Sequence, residues 1–301
     1  MPVPVWQPLP GVAPSQLGES PLWLPEEQAL LWVDIPGRQL NEWRPADGHH
    51  RQWPLDSEAG CVVPQTDGML LLPMRDGLWQ FDRRTGQRQQ LAPPPYDASL
   101  ERFNDGKADP QGRLWVGTIY EPRTPAAAAL YRWSGGRLER LAGGVTVSNG
   151  LAWSPDGGTM YWADTHDHVV HALDFDGSDG SLARQREFIR FPPKPTDLEL
   201  GGYGGRPDGA AVDSEGAYWV AMYEGQRLLR LAPDGRVLLD LPLPVRCPTM
   251  PCFGGDDLRT LFVTSACRGR PAAELAAQPW AGCVLMTRVD VPGLPVNFAQ
   301  P

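Results

Sequence analysis

The sequence has no apolar run approaching the roughly 18 residues that a membrane-spanning helix needs. Its amino terminus, MPVPVWQPLPGV, lacks the basic segment and following apolar run of a secretory signal. Cysteine is scarce. Cys61, Cys247, Cys252, Cys267 and Cys283 are odd in number, without CxxC spacing and with few histidine neighbours, which argues against a zinc cluster or a disulfide framework. Basic charge is also short. At a net charge of −9 no Lys/Arg patch offsets the field, so neither nucleic acid nor an anionic membrane is expected as a partner. Helical periodicity is nearly missing, and its longest stretch is the short Pro271–Gln278. Cytoplasm is the default location, and a monomer is the expected state.

Glycine and proline are plentiful, at 33 each, and 12 tryptophans are interspersed with them. Such a mixture suits many short strands joined by turns, whereas a disordered chain would be poor in aromatics. Six segments share one form: an apolar strand, a polar turn, and a second strand centred on a large apolar residue. They begin at Glu19, Gly60, Asn104, Asn149, Asp208 and Thr249, with anchors at Trp32, Leu71, Trp115, Trp162, Trp219 and Phe262. Successive anchors lie 39, 44, 47, 57 and 43 residues apart, the length of a four-stranded propeller blade.

A third strand is expected in each unit, over Gln39–Arg44, Gly77–Asp82, Ala129–Trp133, His168–Phe175, Arg227–Leu231 and Cys283–Val289. Asp67-Gly68, Asp156-Gly157 and Asp234-Gly235 supply hairpin turns, because both residue types tolerate positive φ. A repeated antiparallel meander has to close on itself to remove its edges. The fold class is therefore all-β, a six-bladed β-propeller spanning residues 1–301 as one domain. Cys283–Val289 meets the N-terminal segment 1–16 to complete the ring. A β-sandwich or two smaller β domains are the alternatives, but no composition break divides the repeats.

From each starting residue to its anchor the distance is 13, 11, 11, 13, 11 and 13 residues. Placing the two-residue difference in the hairpin turn makes the six starts equivalent, and equivalent inner-strand ends converge on a propeller's axis. Glu19, Asn104, Asn149 and Asp208 then form an oxygen-rich central metal site suited to Ca²⁺, Mg²⁺ or Mn²⁺ and less to zinc. The competing reading is that Asn149-Gly150 and Asp208-Gly209 merely start strands as turn dipeptides. Glu19 weighs against it, since Glu has no special role in turns. Arg102, two residues before Asn104 on the same strand, shares its face and points to the channel mouth.

LGESP (Leu17–Pro21), RFNDGKADPQGRLWVGT (Arg102–Thr118), SNGLAWSPDG (Ser148–Gly157), RPDGAAVDSEGAYWVA (Arg206–Ala221) and CFGGDDLRTLFVT (Cys252–Thr264) resemble the gluconolactonase/regucalcin (senescence marker protein) family of sugar lactonases. The likeness runs from about Leu17 to Val289. It implies a six-bladed propeller with one central divalent metal held by Glu19, Asn149 and Asp208. Calcium is the first choice, with Zn²⁺, Mn²⁺, Mg²⁺ or Fe²⁺ as alternatives. It also implies that Arg102 and Asn104 contact substrate beside the metal, which moves Asn104 out of the ligand set. An acidic residue after the Gly-Thr of the third repeat, here Glu121, is expected to contact sugar.

The activity so implied is hydrolysis of a small sugar lactone, such as gluconolactone or a pentonolactone. Asp208 serves as ligand and general base, with hydroxide on the metal as the competing attacker. A histidine nucleophile has little support, since none of the five histidines stands at a channel-lining start and His166 and His168 are expected in a solvated loop. No Gly-x-Ser-x-Gly elbow is present to suggest a serine. The alternatives are a calcium-dependent phosphotriesterase-like hydrolase, a non-catalytic calcium-binding protein and a scaffold for protein partners. Specificity is expected from loops around Pro93–Arg102, Tyr120–Ala128 and Pro192–Arg206.

Overall fold

The computed structural model describes residues 5–196 and 202–301, so positions 197–201 in the last of those loops lie outside the described residues. Six four-stranded antiparallel sheets form the blades. Blade 1 holds β2 (Gly18–Leu24), β3 (Ala29–Asp34), β4 (Gln39–Trp43) and β5 (His50–Pro54). Blade 2 holds β6 (Val63–Pro64), β7 (Leu70–Met74), β8 (Gly77–Phe81) and β9 (Arg88–Ala92). Blade 3 follows with β10 (Glu101–Ala108), β11 (Leu114–Tyr120), β12 (Ala128–Ser134) and β13 (Arg137–Val145). Blade 4 comprises β14 (Ser148–Trp153), β15 (Thr159–Asp164), β16 (Val169–Asp176) and β17 (Ser181–Arg190). Blade 5 comprises β18 (Arg206–Val212), β19 (Tyr218–Tyr223), β20 (Arg227–Leu231) and β21 (Val237–Pro242).

The sixth blade closes the ring. Its inner strands β22 (Pro248–Gly254), β23 (Thr260–Ser265) and β24 (Leu285–Arg288) are completed by β1 (Gln7–Pro8), which pairs antiparallel with β24. Trp6 anchors that joint by donating from Nε1 to Pro242 O at 2.9 Å. The expected meeting of the last strand with the N-terminal segment is therefore present. A short helix, α1 (Ala272–Ala277), occupies the helix-like stretch between β23 and β24.

Burial follows the blade order. Every residue of β3 and β14 is buried, whereas most of β17 is exposed. Inner and middle strands pack between neighbouring sheets and read as nearly continuous apolar runs, while outer strands face water and carry charge. The core is a chain of inter-blade clusters, one of which joins Trp115, Trp153, Trp162 and Phe175. The third strands agree closely with expectation, and β20 coincides with it. Arg44, Asp82, Cys283, Val284 and Val289 fall just outside, and so does His168, whose φ of 57° puts it in the turn before β16 rather than in the strand.

The register corrects how the repeats align. A one-residue bulge follows Glu19 in β2, Phe103 in β10, Asn149 in β14 and Pro207 in β18. Counted from the bulge, Glu19 and Asn149 stand immediately before it, whereas Asn104 and Asp208 are the first residues inside it. The tryptophan anchors also fall into two classes. Trp115 and Trp219 donate to Asp109 and Asp213 at the hairpin (2.9 and 2.8 Å), but Trp32 and Trp162 donate to Ser15 and Ser148 at the opposite end (3.3 and 2.6 Å). The spacing difference thus comes mainly from anchors at different positions along the strand, not from the turns alone.

Beyond β24 the chain forms a strap across the face opposite the inner-strand starts. It pairs Gly293 with Asp213 of blade 5 and Ala299 with Gln65 of blade 2. Among the described residues no helix is long and apolar enough to cross a membrane.

Candidate active site

Bulges kink the inner strands where they approach the axis, and this brings residues from two register positions to one place. Glu19, Arg102, Asn104, Asn149 and Asp208 line a single cavity of about 490 Å³. Gly60 and Thr249 do not join them. A Cβ on Gly60 would lie 2.4 Å from Phe103 O, so blade 2 contributes only a close backbone approach there. Thr249 is fully buried, and its hydroxyl donates to Gly18 O at 2.6 Å.

The lining groups form a directed hydrogen-bond chain. Arg102 Nη1 donates to Asn104 Oδ1 at 2.9 Å, Asn104 Nδ2 to Asn149 Oδ1 at 2.9 Å, and Asn149 Nδ2 to Asp208 Oδ1 at 2.7 Å. Backbone fixes the chain as well, because Asn104 Nδ2 also donates to Ser148 O at 2.9 Å. Thr165 Oγ1 accepts a second bond from Asn149 Nδ2 at 2.8 Å. Donors at one end and a carboxylate at the other give the site a fixed polarity.

Carboxylates crowd this recess. Burial pushes Asp208 up to about 8, with Asp105 adding to the rise while Arg206 and Arg102 oppose it. Burial likewise holds Glu19 well above its ordinary value, reinforced by Asp208 and Asp105. Asp105 is 4% exposed and raised by burial. Its Oδ2 accepts Leu151 N at 2.9 Å, and its Oδ1 is a buried oxygen with no hydrogen-bond partner.

Two neighbouring carboxylates held above their ordinary pKa, an orphaned third and an amide oxygen make a hard-oxygen recess at the inner end of the cavity. The residues therefore fit a divalent cation on Glu19, Asn149 and Asp208. Among the described residues no three His, Cys, Asp or Glu side chains form a metal cluster by themselves, so Asn149 is needed to complete the set.

Glu121 stands apart. It does not line the cavity; its carboxylate accepts from Arg75 Nη1 and Nη2 at 3.1 and 2.8 Å and lies 3.8 Å from Arg102 Nε. His168 corrects the solvated-loop expectation. It is 8% exposed, lines the cavity, and bonds Tyr203 Oη through Nε2 at 2.6 Å, while half-exposed His166 sits beside it at the rim.

Two of the loops expected over the channel supply lining residues, Arg123 from Tyr120–Ala128 and Lys194 and Arg206 from Pro192–Arg206, but the sequence reading singled out none of these side chains, nor Thr165 or Tyr223. Arg206 had a usable signal. It precedes Asp208 by the same two residues that separate Arg102 from Asn104, so the rule that found one arginine finds the other. Asp105 was adjacent to a chosen residue and needed only the bulge to turn it inward. Arg123 and Lys194 lie on connections that carry no periodic signal.

The fold and this cavity define a six-bladed propeller with an oxygen-lined axial pocket open at one face. Over residues 17–267 the sequence matches the SMP-30/Gluconolactonase/LRE-like region, and the chain belongs to that family. It is 45% identical over 283 residues to the 6-deoxy-6-sulfogluconolactonase of Pseudomonas putida, covering 93% of this chain and 94% of that one. It is 33% identical to regucalcin of Gallus gallus, covering 93% of each. The solved structure of a calcium-binding protein, regucalcin, from Agrobacterium tumefaciens superposes with a TM-score of 0.89 at 27% identity, covering 96% of this chain and 95% of that one.

Proposed function

We propose that this chain hydrolyses a small sugar lactone in the axial cavity, using Asp208 as general base and Arg102 with Asn104 to orient the substrate. The chain is an enzyme of the gluconolactonase type, a lactone hydrolase. The observation that carries the mechanism is the directed chain from Arg102 through Asn104 and Asn149 to Asp208, which ends on a carboxylate at the cavity wall. The 45% identity to a sulfogluconolactonase supports the substrate class, and the calcium-binding regucalcin structure supports a divalent ion as cofactor.

Hydrolysis of a lactone needs a polarised carbonyl, a deprotonated water and stabilisation of the tetrahedral oxyanion. A divalent cation on Glu19, Asn149 and Asp208 supplies Lewis acidity at the carbonyl and lowers the pKa of a neighbouring water. The protein supplies the proton traffic and the alignment. Asp208 takes a proton from water as its oxygen attacks the carbonyl carbon. When the tetrahedral adduct collapses, the ring C–O bond breaks and that proton passes to the departing ring oxygen, giving the open hydroxy acid. In the metal-free site burial raises the basicity of Asp208, while Arg206 and Arg102 favour its ionised form, and a bound divalent cation would favour that form further.

Arg102 is buried at the cavity wall and donates from Nη1 to Phe103 O and Asn104 Oδ1, both at 2.9 Å. With that edge fixed, its remaining N–H groups are aimed rather than mobile, suiting them to substrate hydroxyl or carbonyl oxygen. Glu121 acts through Arg102 from the far side and not on substrate directly.

The test is turnover of glucono- and galactono-lactone by protein treated with chelator and then with Ca²⁺, Mn²⁺, Mg²⁺ or Zn²⁺. Loss and recovery of activity are expected. Tight calcium binding with no turnover of any lactone would leave a binding protein, and faster turnover of paraoxon than of lactone would make it a phosphotriesterase.

A further inference from the structure

Among the described residues, the cavity lining runs against the charge of the whole molecule. The chain carries −9, yet four cations among them, Arg102, Arg123, Lys194 and Arg206, line this cavity beside two carboxylates, Glu19 and Asp208. Arg102 is committed to Asn104 and Phe103. The other three stand at the outer end, on the connection after β11, the connection after β17 and the first residue of β18.

Their own partners leave positive charge over. Lys194 and Arg206 both lean on Glu224, at 2.8 and 3.1 Å, and Arg270 takes the same carboxylate at 2.9 Å while also holding Glu274 at 2.7 Å. With Arg270 balanced by Glu274, Lys194 and Arg206 share the one buried carboxylate of Glu224. Arg123 makes no side-chain hydrogen bond or ion pair among the described residues. Burial and the neighbouring Arg206 guanidinium hold its pKa below the ordinary arginine value, with Glu121 and Asp164 opposing the shift in part. The two guanidinium groups repel each other, and a ligand oxyanion placed between them reverses the sign of that interaction. A planar guanidinium also offers paired donors, the geometry that sulfonate, phosphate and carboxylate oxygens accept.

We propose that Arg123, Lys194 and Arg206 form a subsite for an anionic substituent, and that the substrate is a sugar lactone bearing a negatively charged oxyanion group far from its carbonyl. The subsite rests on the lactonase reading given above. Its placement is consistent with one small molecule bridging both ends. Arg206 precedes Asp208 by two residues, roughly 7 Å along a strand, similar to the reach from the carbonyl of a six-carbon lactone to its far substituent. Sulfonate, phosphate and carboxylate share the recognition chemistry, and a substrate series tells them apart.

The experiment compares glucono-lactone with its 6-sulfo, 6-phospho and 6-carboxy counterparts on the full chain loaded with metal, as wild type, Arg123→Gln and Lys194→Gln. Wild type is expected to favour at least one anionic lactone over the neutral one by tenfold or more in kcat/KM. Each variant is expected to lower that ratio at least fivefold, mainly through KM, and 0.5 M NaCl is expected to lower it in wild type. A ratio near one in wild type overturns the subsite while leaving the lactonase intact. A high ratio unchanged in both variants overturns the assignment to these residues. Calorimetric binding of glucose 6-phosphate against glucose gives a readout free of turnover: tighter phosphate binding, weakened in both variants, supports the subsite even if no lactone is hydrolysed, and equal binding refutes it.

Discussion

Asn149 Nδ2 lies 2.7 Å from Asp208 Oδ1, and this contact joins the inner strand of blade 4 to that of blade 5 at the floor of the cavity. It ends a series that starts on a guanidinium in blade 3, so three blades must keep register for one carboxylate to be held in place. The amide also presents its other hydrogen to Thr165 Oγ1, which stops it from swinging freely.

Replacing Asp208 with Asn would remove the proposed base while keeping a similar shape. Lactone turnover is expected to fall by about 10²–10⁴-fold in kcat. Metal content must be measured on the same sample, since a loss of metal would account for the defect without a base. Retention of both metal and full turnover would remove Asp208 from the proton path.

The crowded carboxylates carry a pH signature. Burial holds Asp208 at about 8 and Glu19 well above its ordinary value, whereas unfolded carboxyls titrate near 4. A raised carboxyl pKa stabilises the folded state below about 4, and that contribution is lost as pH rises through about 8. Chelator-treated protein is therefore expected to melt at a higher temperature at pH 5 than at pH 8.5. Saturating divalent cation should flatten or reverse the trend, because it binds the ionised folded form. Melting curves across pH, with and without chelator, decide the matter; a higher Tm at pH 8.5 without metal would contradict it.

Glu121→Gln is expected to raise KM for lactone several-fold with little change in kcat, because it loosens Arg102 and touches no reacting atom. Its carboxylate is shared by Arg75 and Arg102, so Arg75→Gln should shift KM in the same direction. A kcat loss as large as that of Asp208→Asn would instead put Glu121 in the reaction itself.

Asp213 tests the frame apart from the site. This fully buried carboxylate accepts from Trp219 Nε1 (2.8 Å), Arg230 Nε (2.7 Å) and the backbone of Glu215 and Ala217 (3.0 and 2.9 Å). Asp213→Ala leaves several of these donors unmet and is expected to cost about 3 kcal/mol. Urea unfolding gives the loss. The kcat/KM of the protein that remains folded should stay within about twofold.

Much of the architecture was legible because blade repetition is written in apolar spacing and turn dipeptides. Glu19, Asn104, Asn149 and Asp208 were legible because oxygen-bearing residues recur near the starts of inner strands. The finer register was not. Trp32 and Trp115 look alike in sequence, but the bulge places Trp32 level with Gly117, where a Cβ would sit 1.7 Å from Ser148 Oγ. A bulge leaves no mark in composition. The loops carrying Arg123 and Lys194 were expected over the channel, but which of their side chains reach it was not legible, since that depends on how a connection folds back over the axis. His168 read as strand because its neighbours are apolar, and its positive φ is a property of the turn.

The strap that ties Gly293 to Asp213 and Ala299 to Gln65 runs across the ring between blades that are not adjacent. It works as a tie-rod. A closed ring resists loosening at each seam separately, but its width can still breathe if all the seams give slightly together. A brace across the diameter opposes that shared mode, and it does so from the face opposite the cavity floor. The spacing of Glu19, Asn149 and Asp208 is thus governed in part by a segment that none of them touches.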